Sequence, residues 1–234
     1  MNKKYITKRS FNKLNYLANK IHSESELFFN DDEIYKFLKG QYLDRKQVIE
    51  RLDILDNSNI VTPNSLLYDR KGFLGYTMTY YKDYIELSNI NLKKLSFNER
   101  KNLCLKLCDT INYMSEKNFA YPDINEENIL IKDDNIKIID IDSGIFKDID
   151  KEKYDFSLRF SNYLLSNICL SILYSKNYYD FTRFDYVSTI PKELSDFYDF
   201  IVNRNGAFIS TMEFIDKIDE NTINKSKKLL KRSI

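Results

Sequence analysis

The chain has 234 residues, and its 36 Lys and Arg nearly balance 35 Asp and Glu, leaving a net charge of +1. That balance excludes the one-signed field of a nucleic-acid or anionic-membrane binder, so no nucleic-acid partner is expected. At 43% apolar residues there is material for a core, while three cysteines (Cys104, Cys108, Cys169) and one histidine, His22, exclude a disulfide framework, a four-ligand zinc site and histidine-assisted nucleophiles. The opening MNKKYITKRS leads into no apolar targeting segment, and the longest apolar stretch, residues 163–174, is broken by Ser166, Asn167 and Ser171. The expectation is a cytoplasmic protein with no transmembrane segment and a buried helix over that stretch.

In chain order, the first third reads as strands. Residues 26–29 and 33–38 flank the turn Asn30-Asp31-Asp32, a hairpin pattern. Asp44 and Gln47 form a capping-box pattern ahead of Val48, Ile49, Leu52 and Leu55 at helical spacing, which predicts one helix. Strands 65–68 and 73–78, joined by Asp69-Arg70-Lys71-Gly72, complete a small sheet. Beyond about residue 81 the period becomes helical, and Ser96 with Glu99 makes a second capping box for a helix carrying Cys104, Leu107, Cys108, Ile111 and Met114. Further helices are expected over 155–174, 194–202 and 211–218, the last capped by Ser210 and Glu213. The expected fold is α+β, with residues 1–80 sheet-rich, residues 81–234 helical, and a ligand cleft between them.

The run YPDINEENILIKDDNIKIIDIDSG, residues 121–144, concentrates the chemistry. Strands 128–132 and 136–140 flank Asp133-Asp134-Asn135, and antiparallel pairing through a three-residue turn sets Asn128 opposite Asp140. An amide and a carboxylate at one end of a hairpin suit Mg²⁺, which takes one or two protein oxygens and leaves its other positions to water and phosphate. Asp142, two residues on, points to the same side and offers a second carboxylate to the metal. Asp123, in the loop before the hairpin, is free to act as base or orienter toward a hydroxyl. Asp133 and Asp134 are accounted for as turn residues.

This run resembles the catalytic and metal-binding loops of the protein kinase-like superfamily, whose template is H-R-D-x-x-x-x-N followed by D-F-G. Tyr121-Pro122-Asp123 stands where H-R-D would be, Asn128 falls on the asparagine, and Asp140-Ile141-Asp142 replaces D-F-G. The resemblance implies a two-lobe kinase-like fold with ATP and Mg²⁺ as cofactors, Asp123 as catalytic base, Asn125 at the place of a phosphate-directed polar residue, and Asn128 and Asp140 on the metal. It also implies a strand lysine that reaches phosphate and a helix glutamate paired with it. Lys36, which shares a strand face with Ile34 and Leu38, and Glu50 fill those places. GYTMTYYKDY resembles the hinge between lobes, with Met78 near the gatekeeper position and Thr79, Tyr80 and Tyr81 offering backbone groups to an adenine. The resemblance spans about residues 17–214.

Two departures shape the functional expectation. Residues 17–29 contain no glycine where a phosphate-covering loop would have several; Ser23 and Ser25 are either substitute side-chain donors or, the reading preferred, surface serines of a polar turn. Between Gly144 and a helix starting near Asp155 there is little room for an activation segment, and Asp155 is read as that helix's N-cap or as the aspartate that braces the catalytic loop. The expected function is ATP- and Mg-dependent phosphotransfer to a protein hydroxyl; a pseudokinase that binds a protein partner and a small-molecule kinase are the alternatives. The expected partners are a nucleotide and an acceptor, protein or small molecule. The basic tail KSKKLLKRSI reads as a solvated helix end.

Overall fold

The structure, a computed structural model, describes residues 1–17, 24–175 and 211–232. The expected helix 194–202, His22, Ser23 and Ser210 lie outside the described residues. The first part of the chain forms β1 (Asn2–Tyr5), α1 (Lys8–Phe11), β2 (Asn15–Tyr16), β3 (Ser25–Asn30), β4 (Glu33–Leu38), α2 (Lys46–Ile49), β5 (Ser65–Tyr68) and β6 (Phe73–Thr79). There follow β7 (Ile85–Glu86), α3 (Phe97–Glu116), β8 (Phe119–Ala120), β9 (Ile129–Lys132), β10 (Asn135–Ile138), β11 (Ile145–Phe146), α4 (Lys151–Tyr174), α5 (Thr211–Lys217) and α6 (Glu220–Arg232).

Six strands make one sheet in the order β1-β5-β6-β4-β3-β2, with β1 parallel to β5 and every other pair antiparallel. Strand β1 was not expected. NKKY has no alternating apolar pattern and lies mostly exposed at the sheet edge, where backbone pairing with β5 and the bonds from Lys4 to Glu33 and Tyr35 hold it. Helices α3 and α4 pack together on the other side of the cleft, and the β9–β10 hairpin pairs with β7 beside them.

The two Asp-Asp hairpins share a device. Asp31 and Asp133 adopt left-handed backbone, at φ 54° and 52°, a region that a short polar side chain tolerates. Each turn is two residues long, so Asn30 faces Glu33 and Lys132 faces Asn135. The second hairpin is therefore one residue out of the expected register: Asn128 lies opposite Ile139, whose N–H donates to the Asn128 carbonyl at 3.0 Å, and Asp140 leaves the strand at φ 60°. Apolar matching explains the choice. The observed register opposes Ile136 to Ile131 and Ile138 to Ile129, all buried, whereas the three-residue turn would set Ile136 against Lys132.

The expected helix after Asp44 is broken into a 3₁₀ turn at Gly40–Arg45, the four-residue α2, and a second 3₁₀ turn at Leu52–Ile54. No side chain caps α2, so the Asp44–Gln47 box is not formed. Val48, Ile49, Leu52 and Leu55 are nevertheless all buried, so the apolar spacing marks the core-facing positions of a chain of turns. So short a helix cannot repay its own nucleation; tertiary packing sets its path.

The α3 capping box does form: the Ser96 hydroxyl accepts from the Glu99 N–H at 3.2 Å, and the Glu99 carboxylate accepts from the Ser96 N–H at 2.7 Å, an arrangement whose N-cap contributes about 1 kcal/mol. Cys104, Leu107, Cys108, Ile111 and Met114 are all buried, α3 packing against both α4, where Cys169 is buried too, and α5. Helix α4 begins earlier than expected, with Asp150 as its N-cap accepting from the Lys153 N–H at 2.9 Å; Asp155 is exposed on its surface and is neither cap nor brace. One contiguous core joins Ile49 and Leu52 to Leu107, Ile111, Leu165 and Ile168. Among the described residues no helix is long and apolar enough to cross a membrane.

Candidate functional site

The floor of the cleft is the loop and hairpin 121–144, and its shape is set by carboxamides. Asn125 Oδ1 accepts from the N–H groups of Glu127 and Asn128, both at 3.0 Å, while its Nδ2 donates to the Asp123 carbonyl at 3.1 Å. Its polar atoms are thus committed to the turn, and Asn125 shapes the loop instead of presenting a free group to phosphate. Asn128 Nδ2 donates to the Tyr121 hydroxyl at 2.9 Å and to the Asp123 carbonyl at 3.0 Å, leaving its own oxygen for the cleft it lines. The Tyr121 hydroxyl in turn donates to the Ile139 carbonyl at 3.1 Å, fastening the loop to the strand that delivers Asp140. From α4, the Ser161 hydroxyl donates to the Tyr121 carbonyl at 2.5 Å. Burial, then the charge of Asp140, pushes the Tyr121 phenol well above its ordinary value, which keeps it a donor. Asp123 itself is exposed, and its carboxyl is raised by partial burial and by the nearby Glu24.

Above this floor, β4 lowers Lys36 into the cleft with its side chain 3% exposed. Its ammonium donates to Asp140 and, at 2.7 Å, to Asp142 Oδ1. Glu50 is not its partner. That carboxylate is 41% exposed and lies 3.5 Å from Lys46 on the outer side of α2, because the short helix turns position 50 away from the cleft. Nor is Asp142 available to a metal: its side chain is fully buried, Oδ1 also accepts from the Tyr76 hydroxyl at 2.8 Å, and Oδ2 accepts from Arg45 Nη1 at 3.2 Å. Arg45 continues to Glu24 at 2.8 Å.

The two aspartates differ accordingly. Burial pushes Asp140 up from 3.8 to about 6, against the pull of Lys36. Burial works on Asp142 in the same direction, but the Lys36 charge and the hydrogen bonds it accepts hold it well below the usual carboxylate range. For Lys36, burial disfavours the ammonium and the two carboxylates outweigh it, Asp140 first, so its affinity for the proton is raised.

A cavity of about 500 Å³ opens beside this cluster, with Leu27, Ile34, Met78, Leu130 and Ile139 among its apolar walls and Lys36, Asn128 and Asp140 as its polar end. Met78, Thr79, Tyr80 and Tyr81 all line it. Of the backbone groups expected to meet an adenine, the Tyr80 N–H is already used, donating to the Asp32 carbonyl at 2.7 Å. Ser25 also lines the cavity.

A family model for protein tyrosine and serine/threonine kinases matches residues 28–163, more than half of the chain. The chain belongs to that kinase family. Its fold is similar to the structure of the Cydia pomonella granulovirus kinase, PK-1, with a TM-score of 0.61 at 16% identity, covering 89% of this chain and 95% of that one. A search of curated proteins by sequence found no match.

Within this kinase domain, Ser161, Arg45 and Tyr76 join the site without being expected from the sequence, and Tyr121, quoted there only for its place in the motif, turns out to brace the loop. Tyr121 had a signal, since it replaces the bracing histidine of the template and carries a hydroxyl that bonds both ways. Arg45 and Tyr76 reach Asp142 from 97 and 66 positions away, and no local pattern announces them.

Proposed function

We propose that the protein is an ATP- and Mg-dependent phosphotransferase acting on a hydroxyl group, built from residues 1–80 and 81–234 as two lobes. The observation that carries this reading is the convergence of Lys36, Asn128 and Asp140 at one end of a cavity whose volume suits a nucleotide. The donor set fits magnesium. Among the described residues no three His, Cys, Asp or Glu side chains converge as a metal site, but Mg²⁺ needs only one or two protein oxygens. Asn128 has its amide nitrogen tied down and its oxygen spare, and Asp140 is the carboxylate of the pair that faces the cleft, 28% exposed. In the cluster, Lys36 and Arg45 oppose three carboxylates, Glu24, Asp140 and Asp142, which leaves negative charge over for a cation. When bound, the metal would neutralise phosphate charge.

Lys36 keeps Asp142 as a partner while exchanging its contact with Asp140 for a phosphate oxygen. Asp123, held by the bonds that Asn125 and Asn128 make to its carbonyl, orients the acceptor hydroxyl and takes its proton. Most of the rate acceleration then comes from positioning and from fixed charge. A protein hydroxyl is the acceptor that the family suggests. A second reading, a small hydroxyl compound, is favoured by the link between Gly144 and α4: residues 145–150 include β11, which is paired with β8, so the link holds no peptide-docking segment. Asp123 also lines a second cavity of about 750 Å³, with Ile124, Phe160 and Leu164 among its walls, on which such an acceptor could lie.

The test is thermal denaturation with millimolar Mg·ATP, followed by transfer of labelled γ-phosphate. The expected result is a metal-dependent rise in midpoint that Asp140→Ala removes, and turnover that Asp123→Asn lowers by roughly 10²–10⁴-fold with nucleotide binding retained. No shift and no transfer in the unmodified protein would point to a pseudokinase and end the enzymatic reading.

A further inference from the structure

We infer that Asp142, delivered by the metal-binding loop, is the residue that holds the Lys36 ammonium for phosphate, in place of a helix carboxylate, and that Arg45 and Tyr76 are positioning residues that hold Asp142. The inference rests on the nucleotide reading of the cleft and names how its lysine is kept in place. Three donors from three separate elements, Lys36 on β4, Arg45 before α2 and Tyr76 on β6, converge on one fully buried carboxylate. Asp142 therefore cannot swing out to a metal without leaving the buried Tyr76 hydroxyl without its acceptor and taking one of two carboxylate partners each from Lys36 and Arg45, a costlier arrangement than the one seen. Asp140 cannot serve as the permanent anchor, because its carboxylate is needed at the open end of the cleft. Glu50 cannot either, since it faces outward onto Lys46.

The arrangement has a regulatory consequence. Where a helix supplies the lysine's partner, moving that helix assembles or dismantles the site. Here the partner comes from a loop pinned to the sheet by Tyr76 and to the 3₁₀ turn before α2 by Arg45. Arg45 also reaches Glu24, the residue just before β3. The lysine is thus set once the sheet and the loop meet, with no helix movement required.

The experiment compares the unmodified protein with Asp142→Asn, Glu50→Gln and Tyr76→Phe by two readouts. One is the ¹H–¹⁵N signal of the Lys36 side-chain ammonium without nucleotide, assigned by its loss in Lys36→Met; only a buried, hydrogen-bonded ammonium exchanges slowly enough to be seen. The other is the affinity for Mg·ATP. Asp142→Asn is expected to shift and broaden the ammonium signal, because Asp140 alone then holds it by charge, and to weaken Mg·ATP binding on the order of 10²-fold, while Glu50→Gln leaves both unchanged. Tyr76→Phe, which keeps every charge, is expected to weaken binding about 3- to 10-fold and decides the matter should Asp142→Asn not fold. An unshifted signal in folded Asp142→Asn, a lost signal in Glu50→Gln, or unchanged affinity in folded Tyr76→Phe would each overturn the inference. If the unmodified protein binds no nucleotide, the proposed function fails, and the ammonium signal alone still decides which carboxylate holds Lys36.

Discussion

Within residues 121–144 the bonds that shape the cleft floor span few positions: Asn125 to Asp123, Asn128 to Tyr121, and Tyr121 to Ile139. The bonds that join the roof to this floor span far more, 104 and 106 positions for Lys36 to its two aspartates and 97 for Arg45 to Asp142. The floor can take its shape from its own segment. The roof–floor joint exists only once the whole domain has closed, so it carries a greater loop-closure cost and depends on backbone geometry set elsewhere. That difference suggests where the molecule is brittle: damage to the roof should reach the site through the sheet, and damage to the floor should stay local.

Gly75 gives the largest expected effect. It sits on β6 at φ 148°, where an added Cβ would lie 2.0 Å from the backbone oxygen of Lys36. Neither the conformation nor the contact leaves room, since the obstructing atom is main chain. Gly75→Ala is expected to cost about 3 kcal/mol or more and to weaken Mg·ATP binding by displacing β4 and Lys36 with it. Denaturant midpoints and a nucleotide titration check both parts. A midpoint within about 0.5 kcal/mol of the original would show a roof far more adaptable than the comparison assumes.

Tyr121→Phe tests the floor. Removing the hydroxyl leaves the Ile139 carbonyl without its donor and Asn128 Nδ2 without one of its two acceptors, an expected loss of about 1–3 kcal/mol. Because Asn128 keeps its bond to the Asp123 carbonyl, the loop should hold its path, and the functional loss should appear in metal dependence more than in nucleotide affinity. Equal loss of both would mean that floor and joint respond as one unit.

The same contrast explains how much could be read from the sequence. Asp123, Asn128 and Asp140 lie within one segment at template spacing, and the structure does bring Asn128 and Asp140 together at the cleft. The register between them was missed by one residue because Asp133, Asp134 and Asn135 all favour turns, and only the burial of four isoleucines decides which of them form it. Glu50 falls inside the cleft only if the apolar spacing after Asp44 marks a regular helix; the spacing reports burial, and 3₁₀ turns rotate position 50 outward while keeping the apolar side chains in. The sequence sets Asp142 beside Asp140 on one side of a strand, whereas the structure buries it against Lys36, Arg45 and Tyr76. Two-residue alternation holds only along a strand, and the chain has left the strand at Asp140. Strand β1 and Ser161 left no pattern because the first is a polar edge strand and the second is one serine among several on α4.

The smallest effect is expected at a surface tie between the turn after α2 and the link just past the floor. The Arg51 guanidinium meets both oxygens of Asp148 at 3.0 Å and lies 4.2 Å above the Phe146 ring. Its two charged partners are 37% and 69% exposed, so water and salt screen the pair in a way they cannot screen Lys36 and Asp142. The hydrogen bond from Arg51 lowers the Asp148 carboxyl below its ordinary 3.8. Its contribution is therefore fully present above that value and lost as the pH falls through the lower folded one. Asp148→Asn should shift the midpoint slightly downward at neutral pH and low salt. The difference should shrink at about 0.5 M salt and close in acid. Arg51→Ala should cost more, because it also removes the contact with Phe146 and that contact does not titrate. If Asp148→Asn instead matched Tyr121→Phe in high salt, the joint between roof and floor would lie at this surface pair, and the buried carboxylate would lose its place as the element that makes the two regions one site.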